Sequence, residues 1–275
     1  MKTSVVVAGP SFQGTTAPLT GTYENVAAAA AAIGFDAIQL TVNRPLEVPV
    51  REVLQAVDKH GLAVSSIATG LGYTVDGLSL GNRDEANRLA AVQRMREHVD
   101  LAAQLGGARV IIGAIRGWAR DSGAWNVFER QFRQSVAAIL HHAEKRDIDI
   151  ILEANDHLET DAYLSVKETA EGIASYGSPR FKLHLDSMHL LYERQDVEKE
   201  LPRVAPMIAQ VDISDEDRMA PDGKHFDFPL LMRVLKEINY QDYLVFEYRP
   251  SPPENAAKAG YDYIQTILQQ LAVPQ

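Results

Sequence analysis

The chain contains no cysteine among its 275 residues. Disulfides, thiolate nucleophiles and cysteine-type zinc sites are therefore excluded, and any metal must be held by Asp, Glu, His or neutral oxygens. Positive charge is also scarce. Lys and Arg number 27 against 37 Asp and Glu, for a net charge of -10. Nucleic acid and anionic membrane both demand clustered cations, so neither is expected as a partner. Long apolar runs are missing too. The alanine run Ala27–Ala32 is far too short to cross a bilayer. The apolar start, Met1–Gly9, runs into Pro10 and not into a cleavage site, so no signal peptide is expected and a cytoplasmic location follows by default. No G-x-G-x-x-G follows the first apolar segment, and no P-loop occurs anywhere.

What is present is an ordinary globular composition, 46% apolar and 23% charged, in a chain long enough for one large α/β domain or two smaller ones. Short Val/Ile/Leu-rich segments, read as buried strands, recur at Ser4–Ala8, Ala37–Val42, Ala63–Ala68, Arg109–Ile112, Ile148–Leu152, Phe181–Leu185, Ile208–Ile213 and Tyr243–Phe246. Helical patterns separate them: Tyr23–Ile33, Arg51–Lys59, Asp84–Leu105, Trp125–Arg146, Ala162–Tyr176, Val197–Val204, Asp227–Ile238 and Asn255–Leu271. Eight strands and eight helices in strict alternation, with no Pro- or Ser-rich linker, predict an α/β fold: a single (β/α)₈ TIM barrel spanning residues 1–275. A doubly wound open sheet is the runner-up. The stretch from Gly70 to Arg83 carries four glycines and exceeds the usual βα connection, which suggests a loop or lid over a site.

The most informative stretch is Phe181–Leu190. It begins with the two-residue alternation of a strand and runs straight into Asp186 and His189. Taken alone, that pair is as readily a helix cap and a packed histidine. Its counterparts change the reading. Glu153 ends the fifth strand, Asp212 lies in the seventh and Glu247 ends the eighth. The successive spacings of 33, 26 and 35 residues each match one βα unit. Four carboxylates would thus converge on the carboxyl-terminal mouth of the barrel, where they would repel unless a divalent cation were bound. An all-oxygen set suits Mn²⁺ or Mg²⁺, with Co²⁺ a third option.

These residues resemble the sugar isomerase/epimerase superfamily of xylose-isomerase-like barrels, and most of all its D-tagatose/D-psicose 3-epimerase branch. The resemblance runs through Ile151-Leu152-Glu153 with Glu159, Leu185-Asp186-Ser187-Met188-His189, Asp215-x-Asp217-Arg218 with Pro221 and His225-Phe226-Asp227-Phe228, and Leu244-Val245-Phe246-Glu247. It implies that Glu153, Asp186 and Glu247 ligate the metal, that Glu153 and Glu247 are also the catalytic acid/base pair, and that Glu159, His189 and Arg218 hold substrate oxygens. It further implies a homodimer or homotetramer. The chain departs from the pattern at Asp212, which stands where most relatives have a ligating histidine. Asp can also ligate, and would make the site harder and more anionic.

The expected function is a divalent-metal-dependent ketose epimerase or isomerase acting on a small-molecule sugar or polyol ketone. One glutamate removes the proton next to the carbonyl, a metal-stabilised enediolate forms, and the other glutamate returns a proton to the opposite face. An inosose- or dehydroshikimate-type dehydratase on the same scaffold is an alternative, as is a non-catalytic sugar-binding relative. Arg116, Trp118 and Trp125 follow the fourth strand. Trp118 is a candidate substrate-binding wall and equally a loop-packing residue. His157, His184 and His225 carry less specific signals. His184 reads as facing another layer of the fold.

Overall fold

Eight parallel strands close on themselves in the computed structural model, which describes residues 1–9, 16–252 and 255–272. The strands among these residues are β1 (Lys2–Ala8), β2 (Leu19–Thr20), β3 (Ala37–Thr41), β4 (Ala63–Ala68), β5 (Arg109–Ile112), β6 (Ile150–Glu153), β7 (Phe181–Asp186), β8 (Ile208–Ile213) and β9 (Tyr243–Phe246). The helices are α1 (Tyr23–Ile33), α2 (Val50–His60), α3 (Leu71–Thr74), α4 (Glu85–Gln104), α5 (Trp125–Glu144), α6 (Val166–Ala174), α7 (Ser187–Tyr192), α8 (Val197–Val204), α9 (Phe228–Glu237) and α10 (Ala256–Ala272). Neighbouring strands pair in chain order. The barrel shuts where β1 meets β9, with Lys2 opposite Tyr243 and Val5 opposite Phe246. This is a TIM barrel, as the strand–helix alternation predicts.

Local chemistry sets the helix ends. Thr22, Asp84, Ser165 and Asp227 cap α1, α4, α6 and α9 through side-chain oxygens that accept backbone N–H groups. Gly34 ends α1 at φ +115, a conformation with little steric cost only for glycine. The helix expected from Ala162 starts later, at Val166. Tyr163 has φ +61, and the Ser165 cap begins the first turn.

Strict alternation is broken in three places. β2 extends the sheet beside the end of β1, pairing Val7 with Leu19. α3 forms inside the glycine-rich stretch. α7 starts directly after β7, because Asp186 Oδ1 accepts the Met188 N–H at 2.7 Å. The glycine-rich stretch is less free than a lid requires. Leu80 is fully buried and donates its N–H to the Ile115 carbonyl at 3.0 Å. Gly81 packs so tightly under Phe128 that an added Cβ would lie 2.1 Å from the ring. Pro10, which follows the apolar start of the chain, lies outside the described residues. No helix among them is long and apolar enough to cross a membrane.

The main apolar core lies between the strands and the surrounding helices. Inside the barrel, apolar filling is limited to small clusters such as Val6, Ala8, Ala17 and Val245, and Ile111, Ile151 and Ala209. Between them sit buried Ser4, Gln39, Ser65, Ser66 and Gln210, where such barrels usually hold branched apolar side chains. Two register shifts admit this polar layer. One leaves Ser65 without a partner on β3, and the other leaves Ala209 without one on β7.

Candidate active site

The carboxyl ends of β6 to β9 carry the acidic residues in neighbouring positions. Glu153 pairs across the sheet with His184, and Asp186 pairs with Asp212. A cavity of about 110 Å³ opens at this mouth, lined by Glu153, Glu159, His184, Asp212, Arg218 and Glu247 together with Gln39, Thr69 and Gly113. Oxygens of Asp186, Asp212 and Glu247 all lie within 4.8 Å of one another, and so do ligand atoms of Glu153, Asp186 and His189. Asp186 is common to both groups.

Arg218 fills much of the space between these carboxylates. Its Nη1 donates to Asp186 Oδ2 and lies 3.7 Å from Glu247 Oε2. Its Nη2 lies 3.2 Å from His189 Nε2 and 3.8 Å from Glu159 Oε1. Among the described residues Arg218 forms its ion pairs with Glu159, Asp186 and Glu247 and not with the nearby Asp215 or Asp217. Asp217 and Arg218 take left-handed φ values of +56 and +57, and this tight turn aims the guanidinium inward. Burial opposes the charge on Arg218, but Asp186, Glu247, Glu159 and Glu153 hold its pKa well above the ordinary value.

His189 is oriented from behind. Its Nδ1 lies 2.6 Å from Asp156 Oδ2, while Asp156 Oδ1 accepts the N–H groups of Leu158 and Glu159. Its Nε2 then faces Glu153 Oε1 at 3.5 Å. Burial lowers the His189 pKa, but Asp186, Asp156 and Glu153 outweigh it and raise the pKa well above 6.5. The position of Asp156, three residues beyond Glu153, is the one sequence signal that could have singled it out.

His184 does not face another layer. It shares the inward side of β7 with Asp186, and its Nε2 lies 2.9 Å from Asp212 Oδ1 while Nδ1 lies 3.7 Å from Glu153 Oε1. Burial pulls its pKa down, yet Asp212 and Glu153 raise it to about 9. The signal was available, because residues two apart on a strand point the same way.

The two glutamates have opposite electrostatic environments. Burial pushes the Glu153 carboxyl up, but His184, His189 and Arg116 overcome this and hold it well below the usual range. Glu247 is raised to about 8, first by burial and then by Asp212, Asp186 and Glu153, against the pull of Arg218. Thr16 donates to Glu247 Oε1 at 3.0 Å.

Two further features fix Glu153. Gly113 leaves room for it, since a Cβ there would lie 2.7 Å from Glu153 Oε2. The fully buried Arg116 donates to the carbonyls of Gly113, Ile112, Ala162 and Glu153, tying the end of β5 to the end of β6. Other candidates stand apart. Trp118 is absent from the cavity lining, and Arg120 stacks over its ring at 3.5 Å. Trp125 packs on Phe128 and Tyr163. His157 pairs with Glu193, and His225 lies near Asp215 and Glu216 on the exposed side.

The donor set fits a hard divalent cation. Asp212 Oδ2 is buried without a hydrogen-bond partner among the described residues, and carboxylate oxygens of Asp186 and Glu247 lie within 4.8 Å of an Asp212 oxygen. An isolated buried carboxylate oxygen is costly unless something binds it.

Comparison with known proteins gives a consistent picture. Residues 27–267 match the family described as xylose isomerase-like TIM barrel. The chain is 26% identical over 216 residues to the L-ribulose 3-epimerase of Mesorhizobium japonicum, covering 78% of this chain and 71% of that protein. It is 21% identical over 252 residues to the 3-dehydro-D-guloside 4-epimerase of Escherichia coli, covering 85% and 90%. Among solved structures, the apo 3-keto-D-glucoside 4-epimerase of E. coli superposes with a TM-score of 0.80 at 19% identity, covering 98% of this chain and all of that one. The D-allulose 3-epimerase of Methylomonas sp. in complex with D-allulose gives 0.75 at 17% identity, covering 98% and 97%.

Proposed function

The chain belongs to the xylose isomerase-like TIM barrel family, and on that premise we propose that it is a sugar epimerase that inverts a carbon next to a ketone by proton removal and return. The observation that carries this reading is the convergence of Glu153 and Glu247 on one small cavity together with Asp212, Arg218, Glu159 and His184. The similarity to curated ketose 3-epimerases and a guloside 4-epimerase supports it.

Asp186, Asp212, Glu247 and Glu153 would hold a divalent cation, Mn²⁺ or Mg²⁺, which when bound supplies Lewis-acid polarisation of the substrate carbonyl. Glu153, held ionised by His184 and His189, takes the proton from the carbon next to the carbonyl. Glu247, whose Oε2 lies 3.7 Å from Arg218 Nη1, returns a proton from the opposite face. Two carboxyl groups lining one small cavity can act as base and acid on the same substrate. Arg218, His189 and Glu159 grip substrate oxygens, and Asp156 keeps His189 turned toward them.

The test is solvent exchange. The protein, stripped of metal, is incubated in D₂O with a panel of free ketoses and 3-keto glycosides, with and without Mn²⁺, and deuterium uptake is followed by NMR. Mn²⁺-dependent exchange at the carbon next to the carbonyl is expected. Glu153→Gln and Glu247→Gln should each slow it by at least about 100-fold, the usual contribution of a positioned acid or base. An inverted product identifies an epimerase, an aldose an isomerase, and a dehydrated product a lyase. No exchange on any compound would overturn the reading.

A further inference from the structure

The polar layer beneath the acidic ring converges on one atom. Gln210 lies two residues before Asp212 on β8, so both side chains enter the barrel from the same side. Gln210 Nε2 donates to Asp212 Oδ1 at 2.7 Å and to Gln39 Oε1 at 2.8 Å, and Gln39 Oε1 also accepts from Ser66 Oγ at 2.6 Å. His184 Nε2 faces the same Asp212 Oδ1 at 2.9 Å. The other oxygen, Oδ2, has no hydrogen-bond partner among the described residues. The amide orientations are mutually forced. A carboxylate accepts only, so Gln210 must turn its NH₂ toward Asp212, and Gln39 must then turn its oxygen toward Gln210. The layer is not arranged for its own satisfaction, because Gln39 Nε2 and Gln210 Oε1 are buried with no hydrogen-bond partner among the described residues. An apolar filling would avoid both penalties.

We propose that Gln210, backed by Gln39, is a positioning residue that fixes the Asp212 carboxylate through Oδ1 and so presents Oδ2 as a ligand for a divalent cation. The carboxyl torsion of aspartate is soft, with two broad, nearly equivalent orientations. A donor held on one oxygen removes that freedom and selects the other oxygen for binding. The carboxamide adds no charge to a ring that is already strongly anionic. Outer-shell partners of this kind typically contribute about 10- to 100-fold to metal affinity. The inference rests on the reading of the acidic ring as a cation site.

The experiment titrates the metal-free full chain with Mn²⁺ alone, followed by calorimetry, for wild type, Gln210→Met, Gln39→Met and the remote core control Ile264→Val. Gln210→Met is expected to weaken Mn²⁺ binding about 10- to 100-fold and Gln39→Met about threefold or more, while Ile264→Val stays within about twofold of wild type. A purely structural role would lower the melting temperature of the Gln210 variant and leave its Mn²⁺ affinity unchanged, which would overturn the proposal. Should Gln210→Met not fold, Gln39→Met decides the matter by the same criterion. A wild-type chain that binds no Mn²⁺ would overturn the cation site itself. Normal wild-type binding with unaffected variants would overturn only the role of Gln210.

Discussion

The guanidinium of Arg218 is seated against the buried carboxylate of Asp186, with its second nitrogen 3.2 Å from His189 Nε2. Arg218 is thus a permanent cation inside a ring of carboxylates. Its charge is what makes the ring tolerable without metal, since removing one partner of a buried pair usually costs about 3–5 kcal/mol. Arg218→Gln should therefore lower the melting temperature of the metal-free protein sharply. Mn²⁺ should restore most of that loss, because it supplies the missing charge to the same oxygens. Thermal unfolding of both proteins with and without Mn²⁺ measures this, and equal losses in the two conditions would contradict it.

Gly113 and Glu153 are in close approach, and the relationship concerns geometry more than stability. Gly113→Ala would place a methyl 2.7 Å from Glu153 Oε2. That oxygen accepts from Asn155 Nδ2 at 3.2 Å, so the carboxylate must shift against its own hydrogen bonds. We expect the variant to remain folded and to exchange substrate protons about 10- to 100-fold more slowly, the scale of loss that follows an ångström-sized displacement of a reacting group. Unchanged exchange in a folded Gly113→Ala protein would show that Glu153 is not held as tightly as its neighbours imply.

His98, on α4, is outside the cavity lining yet contributes to stability in acid. It is fully buried, both ring nitrogens lack partners among the described residues, and burial, aided by Arg94, pushes its pKa down to about 3. In the unfolded chain it titrates near 6.5. Below that pH the unfolded state gains a proton that the folded state refuses. The stability contribution is therefore complete above about pH 6.5 and is lost as pH falls toward about 3. At pH 5 the loss is roughly 2 kcal/mol. His98→Leu should flatten this part of the profile. Urea unfolding at pH 7 and pH 5 gives the comparison, and parallel losses in the two proteins would refute the assignment.

The sequence by itself determined the barrel and the positions of its acidic residues. Strand segments and βα spacings are local properties, carried by two-residue alternation, glycine stops and capping side chains. Glu153, Asp186, Asp212 and Glu247 therefore fall at or near the carboxyl ends of strands before any contact is known. Only the tertiary structure decided what those residues meet. Gln39 and Gln210 touch across 171 residues of chain, and only barrel closure and two register shifts bring them together. Asp156 behind His189, His184 between Glu153 and Asp212, and the inward turn of Arg218 likewise depend on strand register and backbone torsion. A linear pattern states which face a side chain is on. It does not state which distant side chain shares that face, and electrostatics at this site depends on that second relation.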